Sequence, residues 1–89
     1  MKLSDFNQAL STFDEAITAQ PYLGLAYYYK ALALKDIGLQ THDIRDIRVA
    51  LETANKAFSL YLPPNSDNKI KNLKISLVDI LAWNQGQLK

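Results

Sequence analysis

The fold is decided by the stretch Asp5-Phe6-Asn7-Gln8-Ala9-Leu10-Ser11-Thr12-Phe13-Asp14-Glu15-Ala16-Ile17 and by Pro21, which follows it. Ala9, Phe13 and Ala16 recur at spacings of four and three, which places them on one face of a helix. The small side chains at 9 and 16 let a neighbouring helix come close, and the ring at 13 fills the space between them. Pro21 prevents the helix from continuing, because it lacks an N–H group and its ring clashes with the preceding turn. The stretch therefore predicts the second helix of a hairpin that stacks against further helices.

This order of residues resembles the second helix of a tetratricopeptide (TPR) repeat, in which an alanine, an aromatic residue, a second alanine and a closing proline form the signature. Upstream, Leu3, Asp5 and Phe6 stand where the family has a leucine, an aspartate and an aromatic residue, and Ser4 replaces its glycine. An ordinary amphipathic helix of a small bundle is the alternative, but it would need neither the alanine order nor the proline. The resemblance implies an all-α fold in which antiparallel helix hairpins stack as a short right-handed solenoid of about four helices.

The next segment, predicted to be helical from about residue 23 to 37, is similar to the first helix of a TPR repeat. Tyr27 stands at the family's first aromatic position and Ala31 at its small residue. Two residues depart from the pattern, since Lys30 occupies a usually apolar position and Leu34 replaces a tyrosine. Gly38 is predicted to take the left-handed conformation that closes the helix.

A third helix is predicted from about residue 41 to 62, with its apolar residues at alternating spacings of three and four. They are Ile44, Ile47, Leu51, Ala54, Phe58 and Tyr61. Thr41 is its predicted N-cap, and Asp43 lies where an acid favours a helix N-terminus. The small residues Ala50, Ala54 and Ala57, followed by Pro63, repeat the pattern of the first helix. Because this helix is longer than the TPR pattern, we expect it to project about two turns beyond its neighbours.

A fourth helix is predicted from about residue 66 to 84, after the break at Pro63-Pro64, with Ser66 or Asp67 as its cap. One apolar strip comprises Ile70, Leu73, Leu77, Ile80 and Leu81, continued by Asn84, and a second comprises Ile75, Val78 and Ala82, with Trp83 beside it. One helical neighbour cannot cover both strips. The second strip is therefore covered by a helix that follows in a longer chain, covered in part by the third helix, or used to dock a second protein or a second copy.

Length and composition agree with one small helical domain spanning residues 1–89. The chain has 48% hydrophobic residues, three glycines and three prolines, too few turn residues for a many-stranded β protein. The net charge of +1 and the absence of cysteine exclude a strong charge-driven attraction, a disulfide scaffold and a thiolate metal site. We expect no transmembrane segment and an intracellular, by default cytoplasmic, location, because neither a long apolar run nor a signal-peptide pattern occurs. The repeat register further leads us to expect either a fragment of a larger protein or a small subunit whose open ends are covered by partners.

No residue pattern typical of catalysis is present. His42 is the only histidine and lies beside Asp43 at a predicted helix start, where a capping or surface role is expected. The acidic pairs Asp14-Glu15 and Asp43 with Asp46 are typical of solvated helix faces. We therefore expect no enzyme activity, no catalytic residue, no metal site and no cofactor. Nucleic-acid binding is not favoured either, since no aromatic residues are interleaved with the basic cluster formed by Lys69, Lys71, Lys74, Lys56, Arg45 and Arg48.

The TPR resemblance implies a concave groove, lined mainly by the first helix of each hairpin, that holds an extended segment or a helix of another protein. In this chain the groove residues would be Leu25, Tyr28, Leu32, Lys35 and Asp36. TPR domains that grip an acidic C-terminus have polar groups where this chain has Tyr28 and Leu32, so the groove suits an apolar anchor better. The alternative for the tyrosine cluster is packing on all sides of a sandwiched helix.

These patterns predict a non-enzymatic protein–protein interaction module, acting as an adaptor, assembly factor or scaffold subunit. Its partner-binding residues are predicted to be those of the groove together with Ile75, Val78 and Trp83 of the fourth helix. The alternative is a homo-oligomer, a structural subunit that dimerises through its fourth helix.

Overall fold

Four helices follow one another in the computed structural model, which describes residues 3–60 and 62–87, with side chains described over residues 5–60 and 62–83. They are α1 (Leu3–Ala19), α2 (Gly24–Thr41), α3 (Ile44–Phe58) and α4 (Asp67–Gln87). The predicted all-α class with about four helices is confirmed. The first helix lies close to its predicted bounds, α2 continues four residues beyond its predicted end at residue 37, and α3 is shorter at both ends than expected.

The second helix, α2, is the centre of the arrangement. It contacts α1, α3 and α4, while α3 contacts α4 and the described part of α1 contacts α2 alone. Its apolar residues are distributed around the whole circumference, as a helix with three neighbours requires. By contrast, the apolar residues of α3 are concentrated on one face, and its opposite face is exposed.

The core forms where α2, α3 and α4 meet. Its buried cluster comprises Ala31, Leu34, Ile47, Ala50, Ala54, Leu73 and Leu77. Ala50, Ala54 and Ala57 have no exposed surface, so the alanine row of α3 lies at helix contacts. Short side chains in such a row allow neighbouring backbones to come close, while the larger residues fill the spaces on either side.

Gly38 does not end α2, and the prediction that it takes a left-handed conformation is wrong. The helix continues for most of a further turn to Thr41, and His42 takes the left-handed conformation at φ 57°. Gly38 is instead needed for a close helix contact. A Cβ atom at this position would lie 2.6 Å from Cδ1 of Ile47 and 3.2 Å from the carbonyl oxygen of Asp43.

The N-cap of α3 is Asp43 and not Thr41, so the predicted cap is also wrong. The hydroxyl of Thr41 donates to the carbonyl of Ile37 at 2.8 Å, within the last turn of α2. The Asp43 carboxylate accepts from the Arg45 backbone N–H at 3.0 Å and from the Arg45 guanidinium at 3.1 Å through each oxygen. These interactions, the side-chain hydrogen bonds above all, hold the pKa of Asp43 below its ordinary value.

The third helix ends at Phe58, so it does not project by two turns as expected. Ser59 closes it, with its hydroxyl donating to the carbonyl of Lys56 at 2.7 Å. Tyr61, the last residue of the predicted seam, lies outside the described residues. After the two prolines, Ser66 precedes α4 and its carbonyl accepts from the N–H of Ile70 at 3.3 Å.

The first helix packs on α2 with its apolar residues, among them the buried Phe6 and the half-buried Leu10, and with one aromatic contact and one ion pair. The rings of Phe13 and Tyr29 stack with centroids 6.1 Å apart, and the ammonium of Lys30 lies 2.7 Å from Asp14. Lys30, at a position where the sequence resemblance leads us to expect an apolar residue, thus has an acidic partner on α1. Ala16 is exposed, so the prediction that it lies at a close helix contact is wrong for the described residues. Within residues 3–60 and 62–87, the face that carries it has no neighbour, because α1 contacts only α2.

Substitution of Gly38 tests the close contact between α2 and α3. Gly38→Ala is expected to lower the free energy of unfolding by about 1 kcal/mol, since overpacking costs about 1–3 kcal/mol and the helix propensity of alanine offsets about 1 kcal/mol. Urea denaturation measures this change. Ile47→Val removes the Cδ1 atom but keeps the γ carbon, so in that background the loss caused by Gly38→Ala should be smaller. A gain in stability for Gly38→Ala alone would show that the contact is absent, and Gln40→Ala on the exposed side is the control.

The cap at Asp43 predicts a pH-dependent contribution to stability. Its folded pKa is lowered, so its contribution is complete above the unfolded value of about 3.9 and is lost as the pH falls through the folded value. Asp43→Asn keeps a capping oxygen but loses the charge pair with Arg45. Its melting temperature should therefore be lower than that of the unmodified chain at pH 7 and should converge with it at acidic pH. Glu52→Gln, at an exposed site of α3, is the control, and equal pH dependence of both variants would contradict the assignment.

Candidate functional site

The five residues predicted to line a groove share one face of α2. Their spacings of three and four bring Leu25, Tyr28, Leu32 and Lys35 into a row, with Asp36 beside it. The first four are half-buried and Asp36 is exposed. Tyr28 and Leu32 pack against the core cluster, and the ring of Tyr28 meets that of Tyr29 edge-on at 5.3 Å. The row is therefore a partly covered face, on which the two central residues already serve the core.

A pocket that the sequence did not predict begins where this face ends. Leu39 continues the row four residues after Lys35, and it is one wall of a pocket of about 380 Å³ at the junction of α2, α3 and α4. The other apolar lining residues are Ile44, Ile47, Ile80 and Trp83. We call this space the junction pocket. It links the predicted face of α2 to Trp83, which the sequence pattern places with the second apolar strip of α4.

Three features of the fold build the junction pocket. The extension of α2 beyond Gly38 carries Leu39 to its rim, and the left-handed turn at His42 leads the chain back into α3. Ile44 and Ile47, one turn apart at the start of α3, supply the floor. The late turns of α4 supply Ile80 and Trp83. The signal in the sequence was Leu39 together with Trp83, but their proximity depends on where α2 ends.

The polar part of the junction pocket is acidic. His42, Asp43 and Asp79 lie at its margin, and the charge of Asp43 is compensated by Arg45. Asp79 is exposed and forms no ion pair within the residues that the structure describes. An apolar space with an unpaired carboxylate at its edge suits an apolar group that carries a positive charge nearby.

The outward side of α4 is the second candidate surface. Ile70, Leu73 and Leu77 are buried, whereas Ile75 and Val78 are exposed by 60% and 50%. We define the outer face of α4 as the exposed residues Asn68, Lys71, Ile75, Val78, Asp79 and Ala82. Trp83, exposed by 64%, borders this face on the side of the junction pocket. Of the predicted binding residues of α4, all three are thus at the surface, and no described helix covers the outer face.

Side chains that could bind a metal ion are scattered over the part of the chain that the structure describes. Within the described residues no cluster of three or more histidine, cysteine, aspartate or glutamate side chains could hold a metal ion. The basic cluster is also dispersed, since the Lys74 ammonium lies over the Phe58 ring at 4.9 Å while Lys69 and Lys71 point to solvent. In the described part of the chain, no helix combines the length and the hydropathy that a bilayer crossing requires.

Comparison of the chain with family models, with curated proteins and with solved structures finds no match to any of them.

Proposed function

We propose that the chain is a non-enzymatic protein–protein interaction module of the TPR-like kind, an adaptor, assembly factor or scaffold subunit that works inside the cell. It would hold an extended segment or a helix of another protein. The observation that carries this proposal is the junction pocket, an apolar space of about 380 Å³ that continues the face of α2 predicted to bind and is bordered by the exposed ring of Trp83.

The size of the junction pocket suits one anchoring side chain of a partner. Ligand sites in proteins commonly measure about 300–1,000 Å³ and have apolar walls with a few polar groups. Ile44, Ile47 and Ile80 offer such walls, and Trp83 adds a large ring with one N–H donor. Tryptophan is among the residues that contribute most to binding energy when a partner covers them. An aromatic or branched aliphatic side chain is therefore the expected anchor.

The face of α2 gives the bound segment its length and direction. From Leu25 to Leu39 it spans about 21 Å at 1.5 Å per residue, which matches about six residues of extended peptide. The anchor would occupy the junction pocket, and the remaining residues would run along the face towards Leu25. Lys35 and Asp36 then lie beside the peptide and can pair with its side chains. Tyr28 and Leu32 would contribute only the part of their surface that the core leaves exposed.

A random peptide library displayed on phage and selected on the immobilised chain tests this proposal. Selected peptides should share an aromatic or branched aliphatic anchor, and Trp83→Ala should weaken them at least tenfold, which corresponds to about 1.4 kcal/mol. Leu39→Ala should also weaken them. Tyr22→Ala is the matched control, because Tyr22 is an exposed aromatic residue outside the junction pocket.

Circular dichroism of each variant separates loss of binding from loss of folding. Failure to enrich any peptide, or equal loss for Trp83→Ala and Tyr22→Ala, would contradict the proposed function. Tyr28→Ala and Leu32→Ala are less informative, because both residues pack against the core cluster and their removal also lowers stability.

A further inference from the structure

The outer face of α4 carries two opposite charges placed symmetrically about an apolar centre. Lys71 lies four residues before Ile75, and Asp79 lies four residues after it. Both are exposed, and neither forms an ion pair within the described residues. They cannot pair with each other, because eight residues of helix separate them by about 12 Å along the axis. Each therefore presents a charge with no ion-pair partner among the described side chains, beside the exposed Ile75 and Val78.

We propose that the outer face of α4 binds the same face of a second copy of this chain, with the two helices antiparallel and the two-fold axis at Ile75. In this register Lys71 of each copy lies level with Asp79 of the other, so two ion pairs form. Ile75 meets its own counterpart on the axis, and Val78 lies about 4.5 Å to either side of it. A parallel pair in the same register would place lysine against lysine and aspartate against aspartate. Charges that flank an apolar seam select helix orientation in this way.

The interaction is expected to be weak and reversible. A single pair of helices with few apolar residues at its centre buries less than the roughly 1,200 Å² of a standard interface. The ion pairs are at the rim, where they set orientation more than affinity. Self-association goes beyond the proposed function, since Lys71 and Ile75 are not part of the junction pocket. Asp79 belongs to both surfaces, and Trp83 lines the pocket and borders the outer face.

Charge variants and their mixture provide the test. Lys71→Asp makes the outer face entirely acidic, and Asp79→Lys makes it entirely basic. Sedimentation equilibrium from about 10 μM to about 1 mM should show a dimer for the unmodified chain and at least a tenfold weaker dimer for each variant alone. An equimolar mixture of the two variants should restore the dimer, because each lysine then faces an aspartate. Lys69→Asp is the control for Lys71→Asp, because it changes the net charge by the same amount at a residue that is not on the outer face. It should leave the dimer unchanged.

A single cysteine tests the position of the axis independently. The chain has no cysteine, so Ile75→Cys introduces the only thiol. Two thiols on a two-fold axis lie within reach of each other, and mild oxidation should convert most of this variant into a disulfide-linked dimer. Val49→Cys, at an exposed apolar site of α3, should stay monomeric under the same conditions.

A monomeric unmodified chain at about 1 mM would overturn the inference. So would a mixture of the charge variants that stays monomeric, or equal cross-linking at positions 75 and 49. Peptide binding by the Lys71→Asp variant shows whether a failure of dimerisation is independent of the proposed peptide-binding function. This variant keeps every residue of the junction pocket and should therefore retain the selected peptides whether or not the chain dimerises.

Discussion

The arrangement of this chain depends on how closely α2 and α3 approach each other. Gly38 leaves the space that Cδ1 of Ile47 occupies, and the alanine row of α3 is fully buried where α3 packs with its neighbours α2 and α4. Larger residues at these positions would separate the helices, and interiors tolerate little such change because they are close-packed. The helix α4 packs against the groove between these two helices. The depth of this groove is therefore set by glycine and alanine residues, whose side chains are absent or a single methyl group.

The same contact also determines how the junction pocket is formed. Because Gly38 is used inside α2, the helix runs on and delivers Leu39 to the junction pocket, while the reversal of the chain is left to His42. A helix that ended at Gly38 would place its last apolar residue in the core and leave no wall at this site. One packing requirement thus produces both the rigid contact and the adjoining apolar space.

Helix number, the alanine row and the two strips of α4 could be predicted from the sequence, because they follow from spacings of three and four within single helices. The end of α2, the N-cap of α3 and the junction pocket could not. Gly38 suits a left-handed turn and a close contact equally well in isolation, and only the position of Ile47 on another helix decides between them. Ala16 shows the same limit, since its small side chain indicates a contact but not whether a neighbour is there. The binding residues on α2 and α4 remain predictions, although all three on α4 are exposed.

The order in which the helices contact one another has a consequence for folding and for local opening. Almost every contact joins helices that are consecutive in the chain, and only the smaller contact between α2 and α4 skips a neighbour. Loop closure is therefore inexpensive, and such local topologies fold rapidly. The helices also differ in how easily they unfold. The first helix, α1, can detach by breaking its contacts with α2 alone, while the α2–α3–α4 core stays closed. We therefore expect amide hydrogens in α1 to exchange through partial opening, and those around the alanine row to exchange only when the α2–α3–α4 core unfolds.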